Sequence, residues 1–192
     1  MFNDRIRLTA NSAVDFLIKV LLGAAGIALL GGISIPLQDE VDLTLQTLMV
    51  LLPAVLFGWE VGLGAVVLYI VVGGLGVPVF PGGGSGFDRI LSPVGGFYFG
   101  FALAALLAGY AVRFPQTHSW TGQVLVWVLA HMVILAVGYG WLASVVWKPA
   151  GLDLWSQFTT ELTSKVPSLV VKSALGVLAV IFIERGLTRT NP

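Results

Sequence analysis

The sequence contains no cysteine, which excludes disulfides, thiolate metal sites and a cysteine nucleophile. Its two histidines, His118 and His131, cannot build a structural zinc site by themselves. Charge is scarce as well. Only 10% of the 192 residues are Asp, Glu, Lys or Arg, against about 25% in soluble domains. Basic and acidic residues number 10 each, so no net charge points toward nucleic acid. Nothing matches G-x-x-x-x-G-K-S/T, so there is no P-loop with which the chain could hydrolyse ATP. What is abundant is apolar: 57% of residues are hydrophobic and the mean hydropathy is +0.93. The composition is that of an integral membrane protein whose surroundings are the lipid bilayer.

A helix that crosses a bilayer needs about 20 apolar residues, and only helices or closed barrels can cross. Six apolar runs are long enough to read as helices, at about 14–33, 44–57, 62–76, 95–112, 122–143 and 166–183. The expected fold class is therefore all-α: one membrane domain over residues 1–192 with six transmembrane helices. The first run is too long for the apolar part of a signal peptide, and no small-residue cleavage site precedes a soluble domain, so it reads as a retained helix. Asp15 and Lys19 lie at i, i+4 on its first turns, in the order that favours an ion pair, and both can snorkel to the interface. Residues 34–43 read as a short acidic loop, 58–61 as a tight turn, and 144–165 as a longer connection with room for an interfacial helix.

Six crossings put both termini on one side, with Arg5, Arg7, Arg113, Arg185 and Arg189. The other side carries Arg89, Lys148 and Lys165 beside Asp39, Glu40, Asp42, Asp88, Asp153 and Glu161. The excess of positive charge assigns the termini to the cytoplasmic side of a cell membrane. Trp59, Trp120, Trp141, Trp147 and Trp155 fall near predicted helix ends, as an aromatic belt does.

The chain is organised around residues 68–101, where two apolar segments flank a glycine- and proline-rich loop over 77–94. Loops of this length are either functional or simple linkers. Gly84, Ser85, Asp88 and Arg89 on this loop are candidate ligand contacts, since glycine lets backbone approach a ligand closely. Gln46, in the first turn of the second run, can donate and accept hydrogen bonds. Lys172 is a cation inside the sixth run, and an ionisable group within a span is a functional candidate. Pro167 suits the first turn of that helix, which would put Lys172 about 8 Å below its external start, in the field of the helix N-terminus. The other reading of Lys172 is a side chain that snorkels outward. In the first run Ala24 and Ala28 form a small-xxx-small pair, which serves either internal packing or docking of a partner helix.

One enzymatic pattern is present. Gly83-Gly84-Ser85-Gly86 matches the G-x-S-G of rhomboid-type intramembrane proteases, with His131 as the base. Ser85 is followed by a charged loop and a proline rather than by a helix to hold it, which argues against a nucleophile.

L-T-L-Q-T-L at 43–48, L-Y-I-V-V-G-G-L-G-V-P-V-F at 68–80 and S-P-V-G-G-F at 92–97 resemble the BioY family. Its members are biotin-specific S components of energy-coupling factor transporters. The resemblance implies six membrane helices and capture of biotin from outside under external loops. It also implies delivery through a transmembrane coupling (T) component driven by two ABC ATPases. It implies no enzyme activity and no cofactor; biotin is the ligand. It assigns Lys172 to the ligand carboxylate and Ala24–Ala28 to docking. Where the family's sixth helix carries P-G-D-x-x-K, this chain has Pro167, Ser168, Leu169 and Lys172, so leucine replaces the aspartate. Capture of another small carboxylated vitamin is the alternative.

Overall fold

The computed structural model describes residues 7–38, 41–148 and 150–189. Arg5, Asp39 and Glu40, used above in the charge comparison, lie outside the described residues. Each of the six apolar runs forms a helix: α1 (Ser12–Leu30), α2 (Gln46–Phe57), α3 (Trp59–Gly74), α5 (Gly95–Ala111), α6 (Trp120–Leu142) and α7 (Leu154–Arg189). A short helix α4 (Phe87–Leu91) lies between α3 and α5. Among the described residues, three helical stretches are long and apolar enough to cross a membrane: Ser12–Leu30, Trp120–Val146 and Leu154–Ile183. The helices Gln46–Phe57, Trp59–Gly74 and Gly95–Ala111 are shorter and equally apolar.

Four details differ from the sequence reading. The acidic loop is a hairpin of strands β1 (Ser34–Gln38) and β2 (Val41–Thr44), paired antiparallel through Ser34–Thr44, Ile35–Leu43 and Pro36–Asp42. Apolar residues alternate there with a period of two (Ile35, Leu37; Val41, Leu43), a strand pattern too short to register against long helical runs. The turn at 58–61 contracts to the single residue Gly58, whose φ of 93° suits only glycine, and α3 starts at Trp59. The 77–94 segment contains a 3₁₀ turn at Pro81–Gly83 and then α4, so a helix does follow Ser85.

The fourth difference is the largest. Pro167 does not start a helix; it lies inside α7, which runs 36 residues from Leu154. Proline removes one backbone donor, and membrane helices tolerate that because neighbouring groups satisfy the freed carbonyl. Lys172 is consequently far from any helix N-terminus, and the dipole contributes nothing to its site.

The Asp15–Lys19 pair forms, at 2.5 Å. It does not snorkel: Lys19 is only 2% exposed, and its ammonium lies 5.0 Å from the centre of the Phe57 ring. Asp15 also accepts from the Leu8 and Thr9 amides, so the pair fastens the segment before α1 to the end of α2. The Asn11 side chain caps α1 by accepting from the Ala13 and Val14 amides.

The core is made of small and branched residues from α2, α3 and α5. Val50, Leu51, Ala54, Ala65, Val66, Ala104 and Ala105 are fully buried. Backbones come close where side chains are absent: a Cβ on Gly62 would fall 2.5 Å from the Ala54 Cα and 3.0 Å from its nitrogen. Ala24 belongs to this core, and Ala28, half-buried, packs against it.

This packing predicts a pair of contrasting outcomes. Gly62→Val should destabilise the protein by about 1–3 kcal/mol, because α2 and α3 must separate. Gly26→Ala should be close to neutral, since its Cβ would meet only the Met49 sulfur at an ordinary 3.7 Å. Thermal unfolding in detergent measures both; equal effects would mean that α2 and α3 are not held at this spacing.

Candidate ligand-binding site

A cavity of about 400 Å³ opens between the first turn of α2, α4, the start of α5, the C-terminal half of α6 and the middle of α7. That size suits a small organic ligand. Its apolar walls include Phe97, Phe101, Ile134, Leu135 and Leu169. Its polar groups are Gln46, Thr47, Arg89, Tyr98, His131, Tyr139, Lys165, Ser168 and Lys172. Three cations thus converge on the cavity, and none of the described lining residues is a carboxylate. A second cavity, of about 500 Å³, lies between α5 and α6 at the opposite end, with no charged residue in its lining. Of these two cavities, the first is the one whose lining carries charged side chains.

The polar groups are held by neighbours. Gln46 Nε2 donates to the Tyr69 hydroxyl at 3.1 Å. That leaves the Gln46 carbonyl oxygen as a second point of contact. The buried His131 contacts the Trp127 carbonyl through Nδ1 at 2.8 Å and Thr47 Oγ1 through Nε2 at 3.1 Å. A carbonyl only accepts, so Nδ1 carries the proton and donates, and in the neutral imidazole Nε2 accepts from the Thr47 hydroxyl.

This geometry decides the protease pattern. Both ring nitrogens of His131 are engaged within the membrane helices, whereas Ser85 is exposed on the loop. Ser85 therefore has no base in His131.

The 77–94 segment forms a wall of the cavity. Phe80 is 2% exposed and inserts between Tyr69 and Tyr98, with ring centres 5.4 and 4.7 Å away. It fills the space that any Cβ on Gly73 would need. The Gly86 amide donates to the Gly73 carbonyl at 2.8 Å, and the Trp141 indole donates to the Ser92 carbonyl at 3.1 Å. Arg89 and Pro81 are the segment's contributions to the lining before Val94.

Of the candidate ligand contacts, Gln46, Arg89 and Lys172 line the cavity together. Gly84 is half-buried behind Arg89, where a Cβ would lie 3.4 Å from the guanidinium Nε. Ser85 and Asp88 are exposed and are not among the lining residues. Sequence reasoning missed Thr47, Tyr98, Tyr139, Lys165 and Ser168. One signal was available for α7: Lys165, Ser168, Leu169 and Lys172 follow the i, i+3, i+4, i+7 spacing of a single helix face. It was obscured by starting the helix at 166.

The family model described as the BioY family matches residues 5–189. The chain belongs to the BioY family. It is 30% identical over 184 residues to the protein named Biotin transporter BioY2 of Lactococcus lactis subsp. cremoris, covering 94% of this chain and 96% of that one. It is 32% identical to the Probable biotin transporter BioY of Lysinibacillus sphaericus, over 88% of this chain and 85% of the relative. In fold it matches the crystal structure of the S-component for biotin from an ECF-type ABC transporter, with a TM-score of 0.77 at 23% identity. That match covers 93% of this chain and 95% of the solved one. The BioY fold is thus assigned along nearly the whole chain, and with it a multi-pass membrane protein.

The aromatic insertion yields a prediction. Phe80→Ala should cost about 3–5 kcal/mol locally and release the 77–94 segment, while the membrane helices persist. Limited proteolysis reads this as new cleavage within 77–94 at unchanged helical circular dichroism. Protection equal to that of the unaltered protein would mean that Phe80 does not hold the segment.

Proposed function

We propose that this chain is the biotin-binding membrane subunit of an uptake system. It crosses a bacterial cell membrane six times as a single domain, through α1, α2, α3, α5, α6 and α7, with both termini in the cytoplasm. It takes biotin into the cavity from the external side. A transmembrane coupling component and two ABC ATPases power delivery, in keeping with the absence of a P-loop from this chain. It is a carrier of its ligand and catalyses no reaction.

The observation that carries this reading is the cavity itself: apolar walls, three cations and no carboxylate in the described lining. Biotin presents one carboxylate, an apolar thiophane and chain, and an uncharged ureido head. A carboxylate that leaves water for such a cavity needs a cation or several donors in exchange. Lys172 is the membrane-embedded cation of the three, set on a continuous helix, and is the proposed carboxylate partner. Arg89 is exposed on the loop side and serves entry, with Gln46 contributing polar contacts further round the wall. Ser85, Asp88 and Gly84 are assigned to the loop that borders the opening. The relatives that match over most of the chain are named biotin transporters, in line with this assignment.

A charge-assisted hydrogen bond contributes roughly 1.5–3 kcal/mol. Lys172→Ala should therefore weaken biotin binding about ten- to a hundredfold, each factor of ten being near 1.4 kcal/mol. Biotin amide should bind the unaltered protein worse than biotin, and should lose little more on the substitution. Equilibrium binding of acid and amide to both proteins closes the cycle. Equal losses for the two ligands would move the carboxylate to another partner, with Arg89 the next to substitute.

A further inference from the structure

The second cavity takes no part in the ligand site, and its shape follows from how α5 and α6 pack. In the half of the bundle that holds the ligand cavity the two helices touch closely. A Cβ on Gly96 would lie 2.8 Å from Cγ of Trp141, and one on Gly100 would lie 3.0 Å from the Ile134 carbonyl oxygen. Toward the other end a gap of about 500 Å³ opens between them. Small or short side chains leave it open: Ala108, Gly122, Val126 and Ala130 are its buried lining. Leu107, Leu125 and Leu129 form an exposed rim.

Depth and polarity say what fills this groove. Its α6 lining runs from Thr121 to Val133, roughly 18 Å at 1.5 Å per residue. One leaflet of a hydrocarbon core about 30 Å thick is close to that, at about 15 Å. From Leu125 to Val133 the α6 lining is wholly apolar, whereas Gln116, Thr117, Ser119 and Thr121 stand together at one end. Tyr110 and Trp120 are exposed at the same end, and such rings sit at the headgroup level of a membrane. The groove thus begins at the interface, ends near the middle of the bilayer and turns its leucine rim to the lipid.

We propose that this groove binds one phospholipid, with an acyl chain laid along α6 between Leu125 and Val133 and the polar part at Gln116, Ser119 and Thr121. A lipid tail gains no hydrophobic energy by leaving other tails, so shape is what holds it. A gap between helices that nothing fills forfeits the dispersion contacts of its lining, and a fitted chain restores them. None of the described lining residues is charged, so selection acts on the chain. Hydroxyls and an amide meet the headgroup whatever its charge. The bound lipid completes the α5–α6 contact, whose other half supplies two walls of the ligand cavity.

The test reconstitutes the full-length chain in bilayers that contain a phospholipid with photoreactive diazirines spread along one acyl chain. Leu125 and Leu129 in the groove are 59% and 61% exposed, and Leu21 and Leu22 on α1, at 57% and 62%, are a matched reference. Peptide mapping should find about fivefold more label on the groove pair. Equal labelling would reduce the groove to ordinary lipid-facing surface. Weaker labelling would show it covered by protein, a second copy of the chain included. Either result overturns the proposal.

Native mass spectrometry in mild detergent should retain one phospholipid per chain. Ala111→Phe and Val133→Phe, which fill the groove, should each lower the retained fraction about fivefold at unchanged helical circular dichroism. Leu103→Phe, an exposed position of α5 outside the lining, should not. Equal retention in all three variants would overturn the proposal, and should a groove variant fail to fold, the label map of the unaltered chain still decides. Phosphatidylglycerol and phosphatidylethanolamine should be retained within about threefold of each other, and a preference above about tenfold would overturn selection by the chain. None of these measurements involves biotin, so their outcome is separate from that of the uptake reading.

Discussion

Helices in lipid gain nothing from hiding apolar side chains from one another, because the lipid is as apolar as they are; they associate where their surfaces come close enough to pack. The rest of this structure depends on one such approach, between α5 and α6. A Cβ on Gly96 would lie 2.8 Å from Cγ of Trp141 and 3.0 Å from the Val137 carbonyl, and one on Gly100 would lie 3.0 Å from the Ile134 carbonyl. That spacing aligns Phe97, Tyr98 and Phe101 on α5 with His131, Ile134 and Tyr139 on α6 as two facing walls. It also brings the Trp141 indole to the Ser92 carbonyl, which ties down the far end of the 77–94 segment. Phe80 ties down the near end between Tyr69 and Tyr98. The cavity is thus a consequence of helix spacing, with the loop as a further packed wall.

The charges are distributed to match. At the end away from the cavity, four of the described charges form two pairs. Asp15 binds Lys19, and Glu60 binds Arg113, which also lies against the Trp59 and Tyr110 rings. At the other end Arg89, Lys165 and Lys172 face one cavity whose described lining holds no carboxylate. Burying a charge is costly unless something compensates it. The first arrangement compensates within the chain and stabilises the fold. Under the proposed function, the second meets the carboxylate of the ligand that enters.

The six helices were legible because each is an apolar run set off by polar or glycine-containing breaks. Three features were not. The hairpin at 34–44 has only a few alternating residues per strand, and its acidic content looks like a loop. The start of α7 was misplaced because proline usually opens a helix, and Pro167 stands where the apolar run begins; the polar turns from Leu154 onward carry no membrane signal. The short α4 is too brief for any periodicity. In the site, Lys172, Gln46 and Arg89 were legible as polar residues in or beside apolar stretches. Thr47–His131 and Tyr139–Glu161 were not, because each pair joins helices whose register the sequence does not state. Ala24 and Ala28 show the limit of a spacing motif: a small-xxx-small pair reports close packing without saying which neighbour approaches.

The central claim is that this chain, without any other subunit, holds biotin in the cavity between α2, α5, α6 and α7. The most direct measurement is thermal unfolding of the purified chain in detergent across a biotin titration. A ligand that binds only the folded state stabilises it by mass action, by about 2.7 kcal/mol at a hundred times its dissociation constant. The account predicts a transition temperature that rises progressively with biotin and is unmoved by lipoate, which has the carboxylate and an apolar ring but no ureido head. A transition indifferent to biotin, or one raised by a different carboxylated vitamin instead, would contradict it.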